Sequence, residues 1–168
     1  MGRQAEYDKA ALAAVVERQR GVITRGQALA CGLTRSAVSH RVKDGGRWRT
    51  VLPGVYLTTG GELAGKQRVM AAILYGGPAI AVTGPAALSY YSIPGNSAGV
   101  IDLLVPLGCR RQDAGFVRLH RTSVVPERLF QDGPVRVVLP ARAIADTARQ
   151  LTDVSAVRAV VAAGVQRG

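Results

Sequence analysis

Apolar residues Ala11, Leu12, Val15 and Val16 recur at helical spacing after Tyr7, and Gly21 ends the pattern. This predicts a first helix over residues 8–20. Val22 and Ile23 read as a short extended piece. Thr24-Arg25-Gly26-Gln27 has the form of a capping box: the Thr hydroxyl can accept from the third helical amide, and Gln27 can reach back to the cap. A second helix over 25–30 follows. Gly32 can take the positive φ that closes it, and Thr34 then caps a third helix over 35–44. Leu33 and Val38 stand at the two positions of a hydrophobic staple around that cap. Gly45-Gly46 stops the third helix, and the β-rich runs 47–52 and 55–58 flank Pro53-Gly54 as a hairpin.

Stepping 100° per residue puts Val38 and Val42 on one side of the third helix. Ser36, His40, Lys43 and Arg47 point the other way, flanked by Ser39. The order helix, helix, turn, helix, basic hairpin is that of a winged helix-turn-helix. The Ala28, Gly32, Val38 spacing fits: a small residue for helix approach, a glycine for the turn, a valine for packing. One departure is that the next apolar position falls at Val42 and not at Arg41.

From Glu62 the pattern changes. Leu63, Val69, Met70, Ile73 and Leu74 describe an amphipathic helix, and 79–82 a short buried strand. Thr83 is expected to cap a helix over 85–91, with Pro85 in its first turn. Residues 100–105, 116–120 and 135–139 read as strands. Pro140 opens a helix to about Leu151, and Asp153 or Ser155 caps a last one over 154–166. The chain is therefore expected to be α+β: a winged helix-turn-helix over residues 1–60, a small α+β domain over 61–168, and a hinge within 58–65.

Composition narrows the function classes. The chain has 168 residues, 48% hydrophobic and 20% charged, which fits a folded chain and excludes a disordered or collagen-like one. Cys31 and Cys109 are isolated, so neither a disulfide framework nor a thiolate metal site is expected, and a reducing cytoplasmic setting fits. The apolar stretches are too short to span a bilayer. The net charge of +11 attracts polyanions: nucleic acid, an anionic membrane surface or an acidic protein. Residues 18–49 carry eight basic groups and one acidic, whereas residues 50–168 carry twelve and seven. Arginine supplies 19 of the 22 basic residues, a bias that a GC-rich genome explains as well as phosphate contact does.

The excess thus lies under the helix-turn-helix pattern. Ser, His, Lys and Arg donate to phosphates, and Arg or Lys donates to guanine O6 and N7 in a groove wide enough for a helix. The candidate DNA-binding residues are Arg35, Ser36, Ser39, His40 and Lys43 on the third helix, Arg47 and Arg49 on the wing, and Arg25 on phosphate. A membrane-surface role fits poorly, because the apolar faces are needed for the core.

Catalytic signals are weak, and neither a catalytic residue, a metal nor a cofactor is expected. Gly60 to Lys66 satisfies G-x-x-x-x-G-K, but Gln67 stands where a phosphate-binding loop needs a hydroxyl for Mg²⁺, so a glycine-rich linker is the better reading. Asp102 and Asp146 are single carboxylates without the ligands of a metal-dependent nuclease, and Asp146 reads as a partner for a nearby Arg. His120 reads as an ordinary strand histidine. Tyr90-Tyr91 reads as core and edge packing before it reads as a base-stacking platform.

The segment GVITRGQALACGLTRSAVSHRVKDGGRWRTVLPGVYLTTG resembles the N-terminal domain of the AbiEi-type antitoxins of type IV toxin–antitoxin systems. VTGPAALSYYSIPG, IDLLVP and VRVVLPARAIADTARQ extend the likeness over most of residues 20–150. The resemblance implies a regulator that binds inverted repeats in double-stranded DNA at its own promoter. It further implies repression of a two-gene operon whose second product is a nucleotidyltransferase-like toxin, with antitoxin activity associated with the second domain. Many chains with this front half continue into a nuclease-like domain. The alternative reading is therefore the DNA-binding portion of a DNA-processing enzyme whose nuclease-like domain is absent from this chain.

Overall fold

The computed structural model describes residues 7–78, 80–95 and 99–166. The chain divides into two compact units, Met1–Tyr75 and Gly76–Gly168.

The first unit begins with α1 (Lys9–Arg18), β1 (Val22–Thr24), α2 (Arg25–Ala30) and α3 (Arg35–Val42). The wing strands β2 (Arg49–Leu52) and β3 (Val55–Leu57) follow, and α4 (Gly65–Gly76) comes next. Asp8 caps α1 by accepting from the Ala11 amide at 2.8 Å. The helix stops at Arg18, earlier than its apolar pattern suggested, because Arg20 and Gly21 both turn into the left-handed region. The capping box at α2 is complete: Thr24 Oγ1 accepts from Gln27 N at 3.1 Å, and Gln27 Oε1 accepts from Thr24 N at 3.0 Å. Gly32 has φ +88°, and a Cβ there would stand 3.2 Å from Tyr7 Cα. Glycine is required at Gly32 both for the turn and for the approach of α1.

Strands β1, β3 and β2 form an antiparallel sheet in that order, with Val22 opposite Leu57 and Thr50 opposite Tyr56. Its inner side joins the helices in one core of Ile23, Ala28, Leu33, Val38, Trp48 and Tyr56. Leu12, Val15, Val16 and Val42 pack against this core. The winged helix-turn-helix order expected from the sequence is thus the observed one. Gln67, which follows the glycine-rich stretch, lies in the first turn of α4. Gln67 Oε1 accepts from Ala64 N at 3.0 Å and its Nε2 donates to Arg20 O at 2.9 Å, so this side chain is a structural tie.

The second unit holds β4 (Ala81–Thr83), α5 (Gly84–Leu88), a 3-10 turn at Ser89–Tyr91, β5 (Ile101–Pro106) and β6 (Val117–Thr122). It continues with β7 (Leu129–Asp132), β8 (Val135–Val138), α6 (Pro140–Ala148) and α7 (Val154–Val165). The five strands make a mixed sheet in the order β6-β5-β4-β8-β7. Its centre is apolar, with Val82, Leu103, Val105, Val135 and Val137 fully buried. Helix α5 packs on α6, and α6 on α7.

Three expectations for this unit need correction. The strand 79–82 is observed as Ala81–Thr83, and Ala79 lies outside the described residues. Thr83 does not cap α5 with its hydroxyl. It is fully buried, and its Oγ1 donates to Asp146 Oδ2 at 2.6 Å. Strand β7 was not foreseen, although Gly133, at φ +60° in the two-residue Gly133-Pro134 turn into β8, is a hairpin signal. The reading of Asp146 as an arginine partner holds, since Arg142 Nε lies 2.8 Å from Asp146 Oδ2.

Asp146 therefore serves a buried hydroxyl and a guanidinium together. Asp146→Ala should lower stability by about 2–4 kcal/mol, because it strands both donors. Arg149, exposed and 3.8 Å from the same carboxylate, should cost under about 0.5 kcal/mol when replaced by alanine. Denaturant unfolding followed by circular dichroism checks both, and equal costs would contradict this account. Burial also pushes the Tyr91 phenol, which donates to Val138 O, above its ordinary pKa. The protonated form is therefore favoured in the folded state. Its contribution is complete below pH 10 and is lost as pH rises through the raised value. Tyr91→Phe should flatten the fall in melting temperature between pH 9 and 11.

Candidate nucleic-acid interface

Helix α3 is set by its buried arc. Val38 is 2% exposed inside the core, with Ala37 and Val42 packed against that core on either side. Arg41 completes the arc. Its guanidinium lies 5.2 Å from the Tyr7 ring centroid and 5.7 Å from that of Trp48, and it donates to Ala37 O at 3.1 Å. The Trp48 amide donates to Arg41 O at 2.8 Å, and the Trp48 ring stacks on Tyr56 with centroids 6.0 Å apart. The departure at Arg41 is thus resolved by chemistry. A cation with a long apolar stem takes an apolar position because two aromatic faces receive it.

With that arc inward, Ser36, Ser39 and His40 face solvent along α3, and Arg35 and Lys43 are exposed at its two ends. The helix is shorter than expected. Lys43 is its C-cap, with extended backbone, and Gly45 at φ +78° makes the turn. Gly46 N donates to Lys43 O at 2.7 Å, and Gly46 sits so close to the Arg41 carbonyl that a Cβ has no room. At the other end Thr34 Oγ1 accepts from Ala37 N at 3.1 Å. The first turn of α3 carries the partial positive charge of a helix N-terminus beside the exposed Arg35.

The wing supplies the remaining cations. Arg49 opens β2 and is exposed together with Thr50, where the strand register shifts before Leu52. Arg47 is exposed too, but it lies in the connection from α3 and outside the strand that the sequence suggested. Arg25 is exposed at the first position of α2, and its amide donates to Gly54 O at 2.8 Å. That bond brings the start of α2 to the wing tip. Among the described residues, none of these eight side chains enters an ion pair. Five donors on or at the ends of α3, two on the wing segment and one at the wing tip form a surface suited to an anionic, groove-bearing polymer.

The second unit offers different chemistry. His120 Nε2 lies 2.6 Å from Asp102 Oδ1, and the Asp102 side chain is only 2% exposed. This pair joins β5 to β6, and no local pattern signals it. Among the described residues no group of histidine, cysteine and carboxylate side chains is placed to hold a metal. No helix among them is long and apolar enough to cross a membrane.

Arg41 is packed between two rings, whereas Arg35 and Lys43 stand on the surface. Arg41→Ala should destabilise the first unit by about 1–2 kcal/mol through the lost ring contacts and hydrogen bond. Arg35→Ala and Lys43→Ala should change stability by less than about 0.5 kcal/mol. Unfolding followed by the fluorescence of Trp48 separates the two classes, and equal losses would contradict the assignment.

No curated protein matches the chain. Residues 11–59, which run from within α1 to just past β3, match the family model described as transcriptional regulator, AbiEi antitoxin. Over that segment, which holds the winged helix-turn-helix, the chain is similar to the AbiEi antitoxin transcriptional regulators.

Proposed function

We propose that this protein is a sequence-specific double-stranded DNA-binding autorepressor, the antitoxin of a type IV toxin–antitoxin system. It acts in the cytoplasm on inverted repeats at its own promoter. Helix α3 enters the major groove with Arg35, Ser36, Ser39, His40 and Lys43. The wing lays Arg47 and Arg49 on the backbone or in the minor groove, and Arg25 takes a phosphate. The role is regulatory and not catalytic, and the functional partner is a nucleotidyltransferase-like toxin, with residues 61–168 forming the antitoxin domain.

The observation that carries this reading is the division of α3 into a buried arc and a solvent-facing basic one, within a segment that matches a family of antitoxin regulators. A helix held so firmly by one side presents its other side with little loss of rotamer freedom. Bidentate contacts from such a side discriminate bases by about 1–3 kcal/mol each.

Electrophoretic shift on the gene's own upstream region, scanned for inverted repeats, tests the reading. Arg35→Ala and Lys43→Ala should each weaken binding by roughly 5- to 100-fold. A lost phosphate contact should also reduce the salt slope by about one. Unchanged binding by both variants would remove α3 from the interface.

A further inference from the structure

The two edges of the five-stranded sheet are treated differently. Strand β6 is covered along its outer side by the segment that leads into it. Val117 N donates to Ala114 O at 2.8 Å, Leu119 N to Asp113 Oδ1 at 2.9 Å, and the Arg121 guanidinium to the carbonyls of Cys109 and Arg111. The outward amides of Val117 and Leu119 are thus occupied, and Arg118 and Arg121 stand exposed beside them. This is how a sheet edge is protected against pairing. Among the described residues, strand β7, at the opposite edge, pairs with β8 alone. Its sequence, Leu-Phe-Gln-Asp, contains neither lysine, arginine nor proline, and its pairing with β8 runs without a bulge. Phe130 on it is 44% exposed, and Gln131 is exposed as well.

We infer that β7 is a homodimer edge, pairing antiparallel with β7 of a second copy in a register centred on Phe130. The argument is charge complementarity under two-fold symmetry. Arg128, Phe130 and Asp132 alternate along the strand, so they share one face. In an antiparallel register centred on Phe130, Arg128 stands opposite Asp132 of the second copy, and Asp132 opposite its Arg128. Phe130 faces its own counterpart across the axis. Two opposite-charge pairs then flank an aromatic pair, the arrangement that stabilises directly opposed residues on neighbouring strands.

The rings around Phe130 strengthen the case. Tyr90 and Tyr91 stand with centroids 6.4 and 6.0 Å from it, so the phenyl ring is braced and half-open, as an interface anchor is. Two-fold pairing would join two such aromatic clusters. The product is a ten-stranded sheet whose two ends are both the covered β6 edge, and growth stops at two copies.

Sedimentation equilibrium of the full chain across roughly 1 to 300 μM tests the inference, with folding of each variant checked by circular dichroism. The expected result is a reversible monomer–dimer equilibrium. Arg128→Asp should weaken it by about tenfold or more, since symmetry turns two attractive pairs into repulsive ones. Adding Asp132→Arg should restore it. A monomer at every concentration, a dimer indifferent to Arg128→Asp, or a folded double variant without rescue would each overturn the proposal. Arg128 is exposed and precedes the strand, so its single variant decides the matter should Asp132→Arg disturb the turn.

Discussion

Everything in the first unit depends on how eight residues of α3 are gripped. So short a helix is not stable alone, because one nucleus is spread over too few hydrogen bonds, and its geometry must come from tertiary packing. Val38 supplies the apolar anchor, while Arg41 is clasped between the rings of Tyr7 and Trp48. The Trp48 amide on the Arg41 carbonyl then ties the end of the helix to the start of the wing. Rotation of α3 about its axis would break all three at once. Its solvent face is therefore as well defined as its buried one.

The same contacts explain why charge and fold coincide in this segment. The core of this segment is built from Ile23, Ala28, Leu33, Val38, Trp48 and Tyr56, with Leu29, Ala37 and Val42 packed against it. Among its cations, Arg41 is taken into an aromatic clamp. The others accumulate on the outer face of α3 and on the wing, where mutual repulsion costs little in water but gives a strong field toward a polyanion. The positive surface is a consequence of packing as much as of composition.

The starts of α2 and α3 and the turns after α2 and in the wing were legible because each rests on local chemistry. Thr24 with Gln27 and Thr34 cap by short-range hydrogen bonds, and Gly32 and Gly54 turn by positive φ, so spacing alone predicts them, whereas Asp8, expected as the first helical residue of α1, is its cap. The outward set on α3 was legible for the same reason, through the phase of Val38. Arg41 was not, since its partners lie elsewhere in the chain and hydropathy counts it as polar. Residues joined only by long-range pairing were equally hidden. Thr83 looked like a cap because nothing nearby reveals Asp146, and Asp102 and His120 meet only when β5 and β6 lie side by side. Strand β7 is too short and too polar to announce itself, despite the turn beside it.

We propose that the outer face of α3 reads base sequence and does not merely attract phosphate. The measurement that addresses it most directly is the ratio of affinities for two duplexes of equal length, one from the gene's own upstream region and one unrelated. It should be taken across a salt series, so that the electrostatic part is separated from the rest. The expected result is a preference of about a thousandfold or more for the upstream duplex, persisting as salt rises while both affinities fall. Equal affinities that decline together with salt would contradict it, leaving a basic surface without specificity.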